Sequence, residues 1–242
     1  MPQPAATNAS STAAVLSCRI TLGDPARELD KTVHILSVSV CRAVNRIPFA
    51  RIRLSDGDVT TGTFALADSE TLVPGTRIGI ALGYGSDEAT VFTGVVTSVS
   101  ERISSRSSEM IVEARDEAVK MTLVPGNRHF TDITDGDLAT QLIERYGLTA
   151  DVDTTDVAYQ NLVQYNTSDW DFLVSRMDRQ GRIVLAADGT VSTREPDLRA
   201  ATAAEVRFGE NILEFNASID ARTQISELSV STWNPGSQQM ET

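Results

Sequence analysis

At 242 residues, with 41% hydrophobic side chains, the chain can bury a real core and is long enough for one large β domain or two smaller ones. Aromatics make up only 5%, too few for a base-stacking surface, and the net charge of −12 repels phosphate backbones, so both features argue against a nucleic-acid partner. No apolar run reaches the length of a membrane span, so this segment is not expected to insert in a membrane.

Residues 1–14 open the chain as a small-residue, polar stretch. It lacks a basic segment followed by an apolar one and therefore does not read as a secretory signal; it is expected to be a disordered arm on a protein assembled in the cytoplasm. From Leu16 the pattern has period two. Cys18, Ile20 and Leu22 alternate with polar residues, as do Leu36, Val38 and Val40, then Ile52 and Leu54, then Ile78, Ile80 and Leu82. Val95, Val99 and Ile103 are expected to share one face of a long run. Alternation of this kind predicts strands with one buried and one wet face. Turns are expected at Ser55-Asp56-Gly57-Asp58, Pro74-Gly75 and Gly83-Tyr84-Gly85-Ser86. Such spacing predicts an antiparallel sandwich or barrel over residues 15–125. Cys18 and Cys41 are too few for a disulfide framework and are expected as reduced, buried strand residues.

Val124-Pro125-Gly126-Asn127 marks a boundary, and a second domain is expected over 126–235. Leu138, Leu142, Ile143 and Tyr146 have helical spacing between the cap candidates Thr134 and Asp135 and the stop Gly147. A second helix is predicted from Ser168 to Gln180, with Trp170, Leu173, Val174 and Met177 as its apolar stripe and Gly181 beyond its end. Strands follow over Arg182–Ala187, Thr190–Arg194, Asn211–Asp220 and Ser226–Trp233. Residues 236–242 read as an exit segment. The fold class is therefore mainly β with an α+β second half: two barrel-like β domains, the second carrying two short helices. No internal repeat is evident at the residue level.

Candidate chemistry is sparse. His34 and His129 stand apart and neither belongs to a metal or nucleophile motif. Gly83-Tyr84-Gly85 lacks the third glycine and the helix of a dinucleotide loop. Asp169 and Asp171 could be read as an acid–base pair. The preferred reading places them in the first turn of the second helix, each contributing about 0.3–1 kcal/mol through the helix dipole. Asp56, Asp135 and Asp188 each precede a glycine and read as turn residues outside any calcium-loop spacing. Arg42, Arg46, Arg51 and Arg53 are expected on two adjacent strands, either balanced by neighbouring carboxylates or forming an interface with an acidic neighbour. No catalytic residue, metal or cofactor is assigned.

The run Leu162-Val163-Gln164-Tyr165-Asn166-Thr167-Ser168-Asp169-Trp170-Asp171-Phe172-Leu173 resembles a signature of the VgrG spike proteins and phage late-control D proteins, in which a strand ending Gln-Tyr-x-x-Ser-Asp-Trp-x-Phe-Leu feeds a helix. Phe92-Thr93-Gly94-Val95-Val96, Asp116–Leu123, Asp135–Gly147 and the exit strand Leu228–Asn234-Pro235 are similar in order and spacing, so the resemblance covers about residues 15–235. It implies a non-enzymatic hub subunit of a contractile injection system (phage tail, type VI secretion system or extracellular tailocin-like particle). In that reading three copies adapt a threefold spike to a sixfold inner tube. The implied partners are further copies of the chain, the inner tube, a spike region and baseplate wedge proteins. The implied structural residues are Tyr165, Ser168, Trp170, Phe172 and Leu173. The family usually continues into a barrel and a spike, so either the chain is a piece of a longer protein or the spike is a separate polypeptide. A cell-wall-degrading module and a monomeric ligand-binding β protein are the competing classes.

Overall fold

Period-two alternation over the first half becomes a seven-stranded antiparallel sheet. Its strands are β1 (Leu16–Leu22), β2 (Arg27–Glu28), β3 (Ile35–Cys41), β4 (Phe49–Ser55), β5 (Arg77–Tyr84), β6 (Asp87–Ile103) and β7 (Ser108–Arg115), in the order β2-β1-β5-β6-β7-β4-β3. The computed structural model describes residues 16–57, 63–64, 66–69, 71–84, 87–104, 107–197, 199–202, 205–209, 212, 214–221 and 225–241. The arm expected over 1–14 and the turn residues Asp58, Gly85 and Ser86 lie outside them. No pairing joins β2 to β3 among the described residues, so the sheet is open where a closed barrel was expected.

The buried face carries Ile20, Leu22, Ile52, Leu54, Ile78, Ile80, Phe92, Val96, Met110 and Val112. Irregularities in register correct the expected alternation in two places. In β6 the inward residues are Phe92, Gly94 and Val96; a bulge between Val96 and Ser98 shifts the parity, so Val95 faces away from Val99, while Ile103 shares the face of Val99 but is exposed at the strand's end. In β3 a shift between Ile35 and Ser37 turns Leu36 outward. Cys18 is half-buried and Cys41 is exposed, so the expectation that both are buried fails. Cys41 is the last residue of its strand and its side chain falls on the wet face.

A 3-10 helix, Glu117–Thr122, leads into the second half. There β8 (Pro125–Thr134) and β10 (Ala158–Ser168) form an antiparallel ribbon. Each strand runs directly into a helix, β8 into α1 (Asp135–Glu144) and β10 into α2 (Asp169–Arg179). β9 (Thr149–Val152) pairs in parallel with β12 (Thr190–Arg194), and β12 pairs with β11 (Ile183–Ala187). Both helices end on a glycine with positive φ, Gly147 at +70° and Gly181 at +67°, as expected for a left-handed stop. A second apolar core gathers Leu138, Leu142, Ile143, Leu162, Trp170, Leu173, Met177, Val184 and Val191.

Specific contacts stitch the two halves together. Asn45 (φ +59°) donates its N–H to the Val184 carbonyl and accepts the Val184 N–H on its side-chain oxygen, both at 2.8 Å, which occupies the outer edge of β11. The tight turn Asp188-Gly189 of the β11–β12 hairpin meets the first half. The Asp188 carboxylate accepts from Thr93 at 2.8 Å and pairs with Arg42 at 3.3 Å, while the Gly189 N–H donates to Asp116 at 3.3 Å. Ile47 packs on the second core.

Residues 1–196 and 197–242 are two separate units. The second, among its described residues, holds a bridge between Phe208 and Ile212 and a hairpin of β13 (Thr232–Asn234) and β14 (Gln239–Glu241). The strand expected over Asn211–Asp220 does not form across residues 214–220, and that expected over Ser226–Trp233 is reduced to its last two residues. Asn211 and Leu213 lie outside the described residues. Phe215, Ile219, Leu228 and Val230 do alternate with polar residues but stay exposed. A strand pattern without a neighbouring strand to take its hydrogen bonds does not make a strand.

Gly94 sits where β6 passes from pairing with β5 to pairing with β7. A Cβ there would lie 2.2 Å from the Arg115 carbonyl oxygen. The clash is with backbone and cannot be relieved by a side-chain rotation. Gly94→Ala is therefore expected to destabilise the first sheet by about 1–3 kcal/mol or more, against the small gain that Gly→Ala gives in an unstrained site. Urea denaturation checks this.

Candidate functional site

The two helices begin alike. Thr134-Asp135-Gly136-Asp137 opens α1 and Ser168-Asp169-Trp170-Asp171 opens α2. In each, the cap hydroxyl accepts the N–H of the residue three further on at 3.1 Å. It also donates to that residue's carboxylate, at 2.8 Å for Asp137 and 2.6 Å for Asp171. Ser168 is the cap of α2.

The first residue of each helix is an aspartate with no exposed side-chain surface, and each is neutralised by an arginine of the other strand–helix unit. Asp135, following β8, accepts from Arg176 of α2 at 2.7 and 3.0 Å and from Gln180 at 2.7 Å. Asp169, following β10, accepts from Arg128 of β8 at 2.5 and 2.7 Å, from Gln164 at 2.8 Å and from the Tyr146 hydroxyl at 2.9 Å. A tyrosine completes the first site as well: the Arg176 guanidinium lies 4.5 Å from the centre of the Tyr159 ring. Each aspartate therefore has one arginine and one glutamine as donors, with a tyrosine alongside. The pairs are crossed, so neither β–α unit can satisfy its own helix N-terminus alone.

A buried carboxylate is tolerable only when paired and fully hydrogen-bonded. Burial pushes the Asp169 carboxyl up. The hydrogen bonds from Arg128, Gln164 and Tyr146 and the Arg128 charge outweigh that and hold it below the usual carboxylate range. Burial and the adjoining Asp169 push the Tyr146 hydroxyl up. Burial pulls the Arg176 guanidinium down, and Asp135 more than restores it. Gly126 lies against this network: a Cβ there would come within 3.0 Å of both Arg128 and Gln164.

Trp170 (4% exposed), Phe172 and Leu173 dock α2 into the second core, with Phe172 stacked on Phe130 at 6.3 Å. Tyr165 is 81% exposed on the outer face of β10 beside the exposed Val163. Arg51 and Arg53 lie on β4 and pair across the sheet with Glu113 (2.6 Å) and Glu109 (2.7 Å) of β7. Arg42 and Arg46 lie in the β3–β4 connection and not on a strand, and Arg42 pairs with Asp188. His34 is exposed, and His129 is exposed beside Asn161 at 3.1 Å. Among the described residues no three His, Cys, Asp or Glu side chains are grouped to hold a metal ion, and no helix is long and apolar enough to cross a membrane.

Two expectations fail at the helix starts. Asp135-Gly136 is the first turn of a helix and not a loop turn, whereas Asp188-Gly189 is a true hairpin turn. Asp169 is not a surface charge acting through the helix dipole but a buried ion-pair partner. Its oxygens are filled by three donors and Asp171 faces its own cap serine, so the two carboxylates do not form an acid–base pair. Sequence reasoning missed Arg128, Tyr146, Gln164 and Gln180 as partners. The signal available was the repeated hydroxyl-Asp-x-Asp pattern at the two helix starts.

The family model of the Alg8 N-terminal domain matches residues 13–242, so the chain belongs to that family; the matching model is not that of VgrG or the late-control D proteins. No curated protein matches the chain. Similar folds are found in a 43 kDa tail protein of prophage MuSo2 from Shewanella oneidensis (TM-score 0.57, 13% identity, 73% of this chain and 53% of that one). A tail protein from Neisseria meningitidis is also similar (0.55, 13%, 78% and 53%). So is an Escherichia coli component of the type VI secretion system, itself similar to the T4 bacteriophage tail proteins gp27 and gp5 (0.54, 13%, 75% and 49%). The chain spans about half the length of these proteins, and the likeness is one of fold.

The crossed pairs set a clear difference between neighbouring aspartates. Asp169→Asn is expected to cost about 3–5 kcal/mol at neutral pH, because it strands a partly buried guanidinium, and Asp171→Asn about 0.3–1 kcal/mol. The folded Asp169 carboxyl titrates below its unfolded value of about 3.9, so its contribution is present above that pH and is lost as the pH falls through the folded value. Urea denaturation from pH 7 to pH 2 should therefore show the penalty of Asp169→Asn shrinking below about pH 4.

Proposed function

We propose that this member of the Alg8 N-terminal domain family is a structural hub subunit of a contractile injection particle, the piece that adapts a threefold spike to a sixfold inner tube. The observation that carries the reading is the fold itself. An open β domain followed by two crossed strand–helix units is similar over about three-quarters of this chain to two tail proteins and to a type VI secretion component. The run from Tyr165 to Leu173, whose resemblance implies the same role, falls on the β10–α2 junction that the crossed pairs fix. No assignable reaction centre competes with it among the described residues: the best carboxylate candidates are consumed in capping and ion pairing.

In this role the chain works by presenting rigid surfaces. Three copies form the ring, with residues 15–125 and 126–235 as its two alternating domains. The inner tube, a spike region and wedge proteins are the neighbours. Assembly takes place in the cytoplasm and the particle acts outside it. Tyr165 and Val163, exposed on a ribbon with unpaired outer edges among the described residues, offer a surface for such a neighbour. Arg51 and Arg53, already neutralised within the sheet, contribute to stability more than to contact.

Light scattering on the purified chain, alone and as part of its longest natural product, tests the reading. A trimer is expected in at least one of the two, and Tyr165→Asp is expected to shift it toward monomer with an unchanged thermal midpoint. A monodisperse monomer in both forms would contradict the hub.

A further inference from the structure

Of the four arginines between positions 42 and 53, three are discharged by Asp188, Glu113 and Glu109. Arg46 is not. The fold brings it to a cleft of about 440 Å³ whose walls also include Arg115, the last residue of β7. Among the described residues neither guanidinium has a carboxylate partner, although the chain carries 33 acidic residues against 21 basic ones. Both arginines are exposed. The cleft is otherwise largely apolar, with Ile47, Phe49 and the edge of Trp170 among its walls and Thr122 at its margin.

We infer that this cleft is a docking site for an acidic peptide segment of a partner protein, one that places a carboxylate next to an apolar side chain. Two unneutralised guanidiniums supply the charge complement and can hold carboxylates through paired N–H donors. Phe49 and Ile47 supply the apolar seat. The wall is already ordered. Asn45 is bound at both ends to Val184, and the Pro48 carbonyl accepts the Asp116 N–H at 3.0 Å. Little ordering free energy is therefore lost when a peptide enters. Nucleic acid fits poorly, because two arginines on a chain of net charge −12 cannot follow a phosphate backbone. The site does not depend on the hub reading and can be tested on the chain alone.

The probe is the peptide acetyl-Glu-Phe-Glu-Leu-amide, titrated into a Trp233→Phe background so that Trp170 is the sole reporter. The expected result is a saturable change in Trp170 emission that weakens as salt rises. Binding should fall at least tenfold in Arg46→Glu or Arg115→Glu and be retained in part in Arg46→Lys. The same peptide with glutamine in place of glutamate should bind at least tenfold more weakly. Arg46 lies in an exposed connection, so Arg46→Glu decides the matter if Arg115→Glu does not fold. The inference is overturned if no saturable response appears at millimolar peptide, if Arg46→Glu binds as the parent does, or if inorganic phosphate or a single-stranded oligonucleotide competes as well as the peptide.

Discussion

The second half of this protein depends on burying two aspartates at helix N-termini. Each helix start gains from a negative charge, since the unpaired N–H groups and the dipole favour it. A carboxylate with no exposed surface cannot rely on water, however, and the guanidinium that neutralises it comes from the opposite strand–helix unit. The two requirements together fix the relation of β8–α1 to β10–α2. Once Arg128 reaches Asp169 and Arg176 reaches Asp135, Trp170 and Leu173 are held in the core, and Tyr165 is left on the outer face. Gln164 and Tyr146 fill the remaining acceptor sites of Asp169; Gln180 does so for Asp135, while Tyr159 lies against the Arg176 guanidinium.

The first half is held by different means. Its sheet relies on alternation, cross-strand ion pairs and a glycine at the point where β6 changes partners. The two halves then meet mainly through hydrogen bonds and one ion pair, with Ile47 packed on the second core. Asn45 closes the edge of β11, and the Asp188-Gly189 turn is gripped by Arg42, Thr93 and Asp116. Covering an open edge in this way blocks unwanted strand pairing. It also creates the cleft of Arg46 and Arg115 at the seam.

Much of this was legible in the residues. Both helices are legible with their caps and glycine stops, because those signals are local and the helical spacing of Leu138, Leu142 and Ile143 or of Trp170, Leu173 and Met177 is strong. Strands β1, β3, β4, β5 and the second part of β6 are equally plain, except at the bulges, where one extra residue reverses the parity of Val95 and Leu36; β2 and β7 are not singled out by the alternation. The ion-pair network was hidden because Arg128 and Asp169 are 41 residues apart, as are Asp135 and Arg176. A local reading assigned both aspartates to the roles that their immediate neighbours suggested. The strands expected beyond residue 210 failed for the opposite reason: the pattern was present, but a strand also needs a partner. Functional residues were least legible, since a surface for assembly leaves no reactive constellation in the sequence.

A double-mutant cycle on Asp169 and Arg128 addresses the crossed pairing most directly, using Asp169→Leu, Arg128→Met and the two together, with unfolding free energy measured by urea denaturation at pH 7. Each single change should strand a charge, and removing both should recover part of the loss, giving a coupling of about 1–3 kcal/mol. Strictly additive losses would mean that the two side chains do not hold the strand–helix units together, and crossed pairing could then not be what fixes this fold.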